Sequence, residues 1–411
     1  MRKKLIYNVI AISLFLISCT KDAAVVSKNY PVIQTHNVSN IDSNGVTFNG
    51  EFIDIGYSHI TEYGFVFNTY PPSIESSYTL IINSNATNGV FSESISEKLA
   101  GNINYNVKAF AKTANQVIYG NNIGFFSQGS KYNPWNLILQ PKMEGWHDAY
   151  GTSNNELGFI LFQSEDFYSY NPNTNSLSKK QNIPINGNTG TYYASFNLDN
   201  YLYILTNHSK EVLRYDINNN QWTKLGNRPF IPNGGIGFFG FSINNIGYFL
   251  SKENFYSYNQ HNDEWSKKLD IPSGRIYSAE VIGGKVYVLG DNKWIWSYNP
   301  EGNTWQKESQ YPGVWNGKIV SFTQNDKIYW GLSYYGSYIG APSPATDFWE
   351  YNSELNNWKE LENFPIIHSQ NEIFTFSINE CSYFGYLHPK YSAHYDDDEY
   401  IFFKFDSQKI K

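Results

Sequence analysis

Phe255-Tyr256-Ser257-Tyr258-Asn259, followed by Trp265 and then Pro272, is one statement of a pattern that runs through the C-terminal two thirds of this chain. The same run, hydrophobic-aromatic-x-Tyr-Asn/Asp, stands at Phe167-Tyr168-Ser169-Tyr170-Asn171, Val212-Leu213-Arg214-Tyr215-Asp216 and Ile295-Trp296-Ser297-Tyr298-Asn299. It returns at Phe348-Trp349-Glu350-Tyr351-Asn352 and, in variant form, at Phe402-Phe403-Lys404-Phe405-Asp406. Seven residues beyond the tyrosine stand Leu177, Trp222, Trp265, Trp305 and Trp358, and seven further stand Pro184, Pro229, Pro272, Pro312 and Pro365. Five copies that keep both spacings exclude chance. Successive signature aromatics lie 40 to 54 residues apart, which is the length of a four-stranded propeller blade.

The pattern resembles the kelch repeat, whose blades carry a strand ending in Tyr-Asp, a turn, and an outer strand bearing tryptophan. The chain departs from it at the double glycine: the pair Gly283-Gly284 sits in a hairpin, and the positions after the second strand hold Thr206, Ser251, Gly290, Gly331 and Gly385. The resemblance therefore implies a degenerate kelch-like propeller of the galactose oxidase type. The sixth copy ends before any tryptophan strand, whereas Tyr132-Asn133-Pro134-Trp135 and the apolar run behind it read as an outer strand with no blade before it. A ring must close to hide its strand edges. The expectation is an all-β chain with a six-bladed propeller over 130–411, closed by the N-terminal outer strand.

The first residues bear on the compartment. Arg2, Lys3 and Lys4 precede an apolar run over 5–17; this is shorter than the ~20 residues that span a bilayer and suits a secretory signal peptide. Leu16-Ile17-Ser18-Cys19 resembles the lipobox of bacterial lipoproteins. That resemblance implies removal of 1–18, lipidation of Cys19 with palmitate-class acyl chains, a linker over 19–29 and anchorage in a membrane. Thr20-Lys21-Asp22 follows; with no Asp directly after the cysteine, the expectation is an outer-membrane lipoprotein on the cell surface or the periplasmic face. The only other cysteine is Cys381, so a lipidated Cys19 leaves no intramolecular disulfide. Net charge is −7, with no basic cluster beyond the signal region, so no nucleic-acid partner is expected.

Residues 30–129 read as a separate β-sandwich. Val46-Thr47-Phe48-Asn49-Gly50-Glu51-Phe52, Tyr63-Gly64-Phe65-Val66-Phe67 and Tyr105-Asn106-Val107-Lys108-Ala109-Phe110-Ala111 alternate with period two. Leu99, Asn102 and Tyr105 resemble the end of a fibronectin type III domain, which implies a tyrosine corner at Tyr105. The module is expected to serve as a spacer.

Function is sought on one propeller face. The last two blades carry about ten additional residues between their second and third strands, over 332–347 and 386–399, and such loops share a face with the inter-blade connections. The insertions bring Tyr335, Tyr338, Tyr391 and His394; the connections bring Trp146, His147, Tyr193, Arg275, Tyr277, Trp315, Asn316 and His368. Rings beside hydrogen-bonding groups suit a glycan, and equally a protein ligand, since Tyr, Trp and Arg dominate hot spots. Binding is expected rather than catalysis, with no cofactor and no metal. The alternative is a sugar mutarotase or epimerase: some kelch-like propellers are sialic acid mutarotases, and Arg275, His147 and His368 would supply the polar groups. The run Asp396-Asp397-Asp398-Glu399 suits calcium but lacks EF-hand spacing. A galactose oxidase-type copper site needs a cysteine joined to a tyrosine, and Cys381 falls in a hairpin slot that reads as a small buried hydrophobe.

Overall fold

The computed structural model describes residues 29–143, 149–185, 193–207, 209–231, 237–315, 317–334, 345–364, 371–388 and 399–410. The repeated signature explains itself as turn chemistry. Its Asn or Asp ends a strand and accepts the backbone N–H two residues on: Asn173 onto Asn171 at 2.9 Å, His261 onto Asn259 at 3.0 Å, Glu301 onto Asn299 at 3.1 Å. This is an Asx turn. The signature tyrosine donates its hydroxyl to Asn175, Asn220, Asp263, Asn303 or Asn356, at 2.7 to 3.0 Å. Those five acceptors hold φ between 48° and 53°, the left-handed region that Asn and Asp tolerate best among non-glycine residues.

The tyrosine-to-tryptophan spacing is a register. Tyr215 faces Trp222 across a hairpin, as Tyr258 faces Trp265, Tyr298 faces Trp305 and Tyr351 faces Trp358. Their rings lie 4.8 to 5.1 Å apart. The indole N–H then reaches the preceding sheet: Trp222 donates to the Gln181 carbonyl at 2.9 Å, Trp305 to that of Leu269 at 2.7 Å, and Trp358 to Ser309 Oγ at 2.8 Å. One residue thus serves its own hairpin and the seam to its neighbour.

Among the described residues, five four-stranded antiparallel sheets result. In a further sheet, Asn371–Ile378, Cys381–His388 and Glu399–Phe405 are followed by Trp135–Leu139, with Phe405 opposite Trp135. That pair occupies the register position of tyrosine and tryptophan elsewhere, so the N-terminal strand supplies what the sixth copy lacks. The first strands of the six sheets are Ala149–Ser153, Tyr193–Leu198, Phe239–Ile243, Ile276–Ile282, Lys318–Gln324 and Asn371–Ile378. Each lies against the next, and the last lies against the first. The arrangement is β-propeller-like. Close approach of these strands demands small residues: a Cβ on Gly240 would stand 2.4 Å from the Ser195 carbonyl oxygen, and one on Gly151 2.1 Å from that of Thr375.

The N-terminal part pairs Val32–Asp42, Gly45–Asp54 and Gly89–Ile95 in one sheet. Ile60–Asn68, Tyr78–Ile81, Gly101–Thr113, Val117–Tyr119 and Ile123–Gln128 form a second set of paired strands. Phe48, Phe65, Phe67, Tyr105 and Phe125 pack between them. The Ala100 backbone N–H donates to the Tyr105 hydroxyl at 3.1 Å. This part does not hang on a free linker. Gly101 pairs in parallel with Asn136, Asn102 Nδ2 donates to the Leu137 carbonyl at 3.0 Å, and Phe48 belongs to the same buried cluster as Trp135, Phe322 and Phe403. Cys381 differs from the expected buried hydrophobe: it opens a strand, stays partly exposed, and packs against the cluster of Phe376 and Tyr383.

Candidate functional site

A cavity of about 470 Å³ lies where the six first strands meet, and all six line it. That volume falls within the ~300–1,000 Å³ typical of small-molecule sites. Its wall is rich in short polar side chains, among them Thr152, Ser153, Ser195, Asn197, Ser242, Ser321, Thr323, Thr375 and Ser377. Several bind a neighbouring strand. Thr375 Oγ1 donates to the Ser321 carbonyl and Ser377 Oγ to that of Thr323, both at 2.8 Å; Ser153 Oγ donates to the Ser377 carbonyl, and Asn197 Nδ2 to that of Ser153 at 2.5 Å. These groups stitch the ring together and still carry free acceptor lone pairs. Asn197 Oδ1 is buried with no protein partner among the described residues.

Among the described residues, Glu280 and Lys318 are the charged side chains on this wall. Glu280 breaks the repeat. At its position, opposite a second-strand aromatic, four sheets carry phenylalanine: Phe196 faces Tyr203, Phe241 faces Tyr248, Phe322 faces Tyr329 and Phe376 faces Tyr383. Each of those pairs stacks at 5.2 to 5.4 Å. Glu280 instead faces Tyr287, and Thr152 faces Phe159. Ser321 Oγ, from the neighbouring sheet, donates to Glu280 Oε1 at 2.6 Å. Burial pushes the carboxyl up to about 7, and the Ser321 hydrogen bond offsets part of that rise. The residue is partly exposed and lines the cavity. A carboxyl so placed accepts hydrogen bonds when ionised and donates one when protonated.

Four of the residues expected at the site are described. Tyr277 lines the cavity, and its ring meets Trp315 edge-on at 4.7 Å. Its hydroxyl reaches Asp291 at 3.5 Å, and burial raises it above the ordinary tyrosine range. Trp315 is half-buried and donates Nε1–H to the Gly317 carbonyl at 2.9 Å. Arg275 is exposed in the connection before Ile276. Tyr193 also lines the cavity, though from a strand and not a loop: it opens Tyr193–Leu198, is 3% exposed, and donates its hydroxyl to the Phe162 carbonyl at 3.1 Å. Trp146, His147, Asn316, Tyr335, Tyr338, His368, Tyr391 and His394 lie outside the described residues, as does the acidic run at 396–398. Among the described residues no group of three His, Cys, Asp or Glu is placed to hold a metal ion.

Sequence reasoning missed Glu280, which lies on an inner strand and not on the loops expected to form the site. The signal was present in the repeat itself: aligned on their hairpins, four inner strands show Phe where this one shows Glu.

No protein-family model and no curated protein matches the chain. Among solved structures, that of YjhT aligns with 14% identity and a TM-score of 0.49, covering 62% of this chain and 98% of that one. A structure of YCF48 bound to D1 peptide aligns with 8% identity and a TM-score of 0.43, covering 67% of this chain and 96% of that one. A shared activity does not follow from likeness of fold.

Proposed function

We propose that the chain is an envelope-anchored lipoprotein whose six sheets are the blades of one propeller, carried on a fibronectin type III-like sandwich, and that the propeller binds a saccharide in and above its central cavity. The observation that carries the reading is the cavity itself: about 470 Å³, lined by hydroxyls of Ser, Thr and Tyr and by Asn197 among phenylalanines, with the Tyr277–Trp315 pair beside it. Hydroxyl-bearing rings need many short polar partners and an aromatic face to stack on. A protein ligand, the other expectation, would engage the loops around the mouth more than this recess. The six-blade reading draws support from the Phe405–Trp135 pairing, and the sandwich reading from the Ala100 to Tyr105 hydrogen bond, placed as in a tyrosine corner.

A second reading has one specific observation behind it. A carboxyl near pH 7 in a sugar-sized cavity can exchange protons with a bound ligand, as a mutarotase requires. Glycan-array screening of the full chain in detergent, followed by polarimetry on any free sugar retained, tests both. Retention without faster anomer exchange supports binding, faster exchange supports the enzyme, and no retained saccharide overturns both.

A further inference from the structure

We propose that Glu280 is the anchoring carboxylate of the cavity, accepting a pair of hydroxyls from a neutral sugar seated against the strands Ile276–Ile282 and Lys318–Gln324. The inference deepens the saccharide reading above and rests on it.

The argument begins with what the repeat would put there. Phenylalanine at this position stacks on a tyrosine of its own sheet and packs against the next sheet, as Phe196 does with Tyr203 and Tyr258. Tyr287 awaits such a partner and Tyr351 of the next sheet stands 6.1 Å from it, so the hydrophobic seam continues on both sides of Glu280. Packing alone favours an apolar side chain at that place. A carboxyl there lowers stability at neutral pH, and stability surrendered at one position of a repeat marks a functional site more often than an accident.

Its partners leave it incomplete. Ser321 supplies one hydrogen bond to Oε1; Lys318 is the cation on the same wall among the described residues, and it takes no part in the shift of the carboxyl. A carboxylate offers about four acceptor positions, so most of its capacity is open. Two vicinal hydroxyls fit the two oxygens of one carboxylate, and the nearby hydroxyls of Ser242, Ser278 and Thr323 line the same wall. The ligand is neutral, because a carboxylated sugar would set like charges together in a poorly solvated space.

Ionisation of Glu280 then controls binding. Tyr287 stands opposite it on the adjoining strand and Ser321 bonds it from Lys318–Gln324; the other titratable groups near by are Tyr277 on its own strand and Lys318, which line the same cavity, and Tyr351, 6.1 Å from Tyr287, while the strand Phe239–Ile243 brings none that titrates. Burial holds all three tyrosines above their ordinary range, so the proton that matters between about pH 5.5 and 8 belongs to the carboxyl. If only the ionised form binds, apparent affinity follows its population, which grows roughly thirtyfold over that interval.

The test is titration calorimetry on the full chain in detergent with galactose, glucose and N-acetylglucosamine as neutral probes and glucuronate as the carboxylated control. The expected result is a neutral probe whose affinity rises roughly thirtyfold from about pH 5.5 to 8, and glucuronate binding that is weaker at high pH. Glu280→Gln should bind weakly and without that pH dependence. Ser321→Ala should shift the midpoint to higher pH, since its hydrogen bond stabilises the ionised form. If Glu280→Gln matches the wild type in affinity and pH profile, Glu280 is not the anchor and the saccharide reading stands without it. If no probe binds the wild type at any pH, the saccharide reading falls and this inference with it.

Discussion

Replacing Glu280 by Gln should stabilise the protein at neutral pH and leave its stability in acid unchanged. The carboxyl rises from an ordinary 4.5 to about 7 in the folded chain, and each unit of such a difference corresponds to about 1.4 kcal/mol. The two states therefore differ by about 3 kcal/mol. The sign follows from proton binding: with the folded value above the unfolded one, the folded state holds the proton more tightly. The contribution is fully present below about pH 4.5 and is lost as pH rises to about 7. Gln keeps the shape and the acceptor that Ser321 needs but never ionises, so its stability should not fall across that window. At the low end of the usual scaling, about 2 °C per kcal/mol, the variant should melt about 6 °C above wild type at pH 8 and level with it at pH 4. Calorimetric melts of both proteins across this range measure the difference. Parallel pH profiles would falsify the claim that Glu280 is desolvated.

Trp135→Ala should cost 3–5 kcal/mol, because the ring is fully buried and meets six aromatic rings, with Phe364 and Phe405 nearest at 4.9 Å; chemical denaturation should show the N-terminal sheets and the ring weakened together. Trp315→Ala should lower sugar affinity by about 0.5–1.5 kcal/mol beyond lost area with little change in melting temperature, whereas Trp305→Ala should do the reverse through its bond to Leu269 and its contacts with Phe255 and Tyr298. Equal binding by Trp315→Ala and wild type would move the site elsewhere. Cys19→Ala should release the protein from envelope membranes after a high-salt wash, and its retention there would refute the lipid anchor.

Local chemistry made much of the ring legible. Tyr-x6-Trp is readable because a hairpin converts a fixed spacing into cross-strand contact, and Asn or Asp at the turn serves φ values that few residues accept. Trp135 was findable for the same reason, since the sixth copy of the repeat ended before its outer strand. Period-two alternation around Phe48, Phe65 and Tyr105 marked the strands of the N-terminal part.

Other features exist only once distant segments meet. Tyr193 reads as a loop residue beside Tyr192, and only the placement of Phe162 turns its hydroxyl inward. The pairing of Gly101 with Asn136 and the cluster joining Phe48 to Trp135 unite two parts that composition and turns divide, because sequence periodicity records which face of a strand is apolar but not which neighbour covers it. Glu280 combines both limits. The repeat shows by itself that a charge has replaced phenylalanine, but the acid's proton affinity depends on the solvent removed around it, and the strands Ile276–Ile282 and Lys318–Gln324 remove that solvent only when they close against each other in the ring.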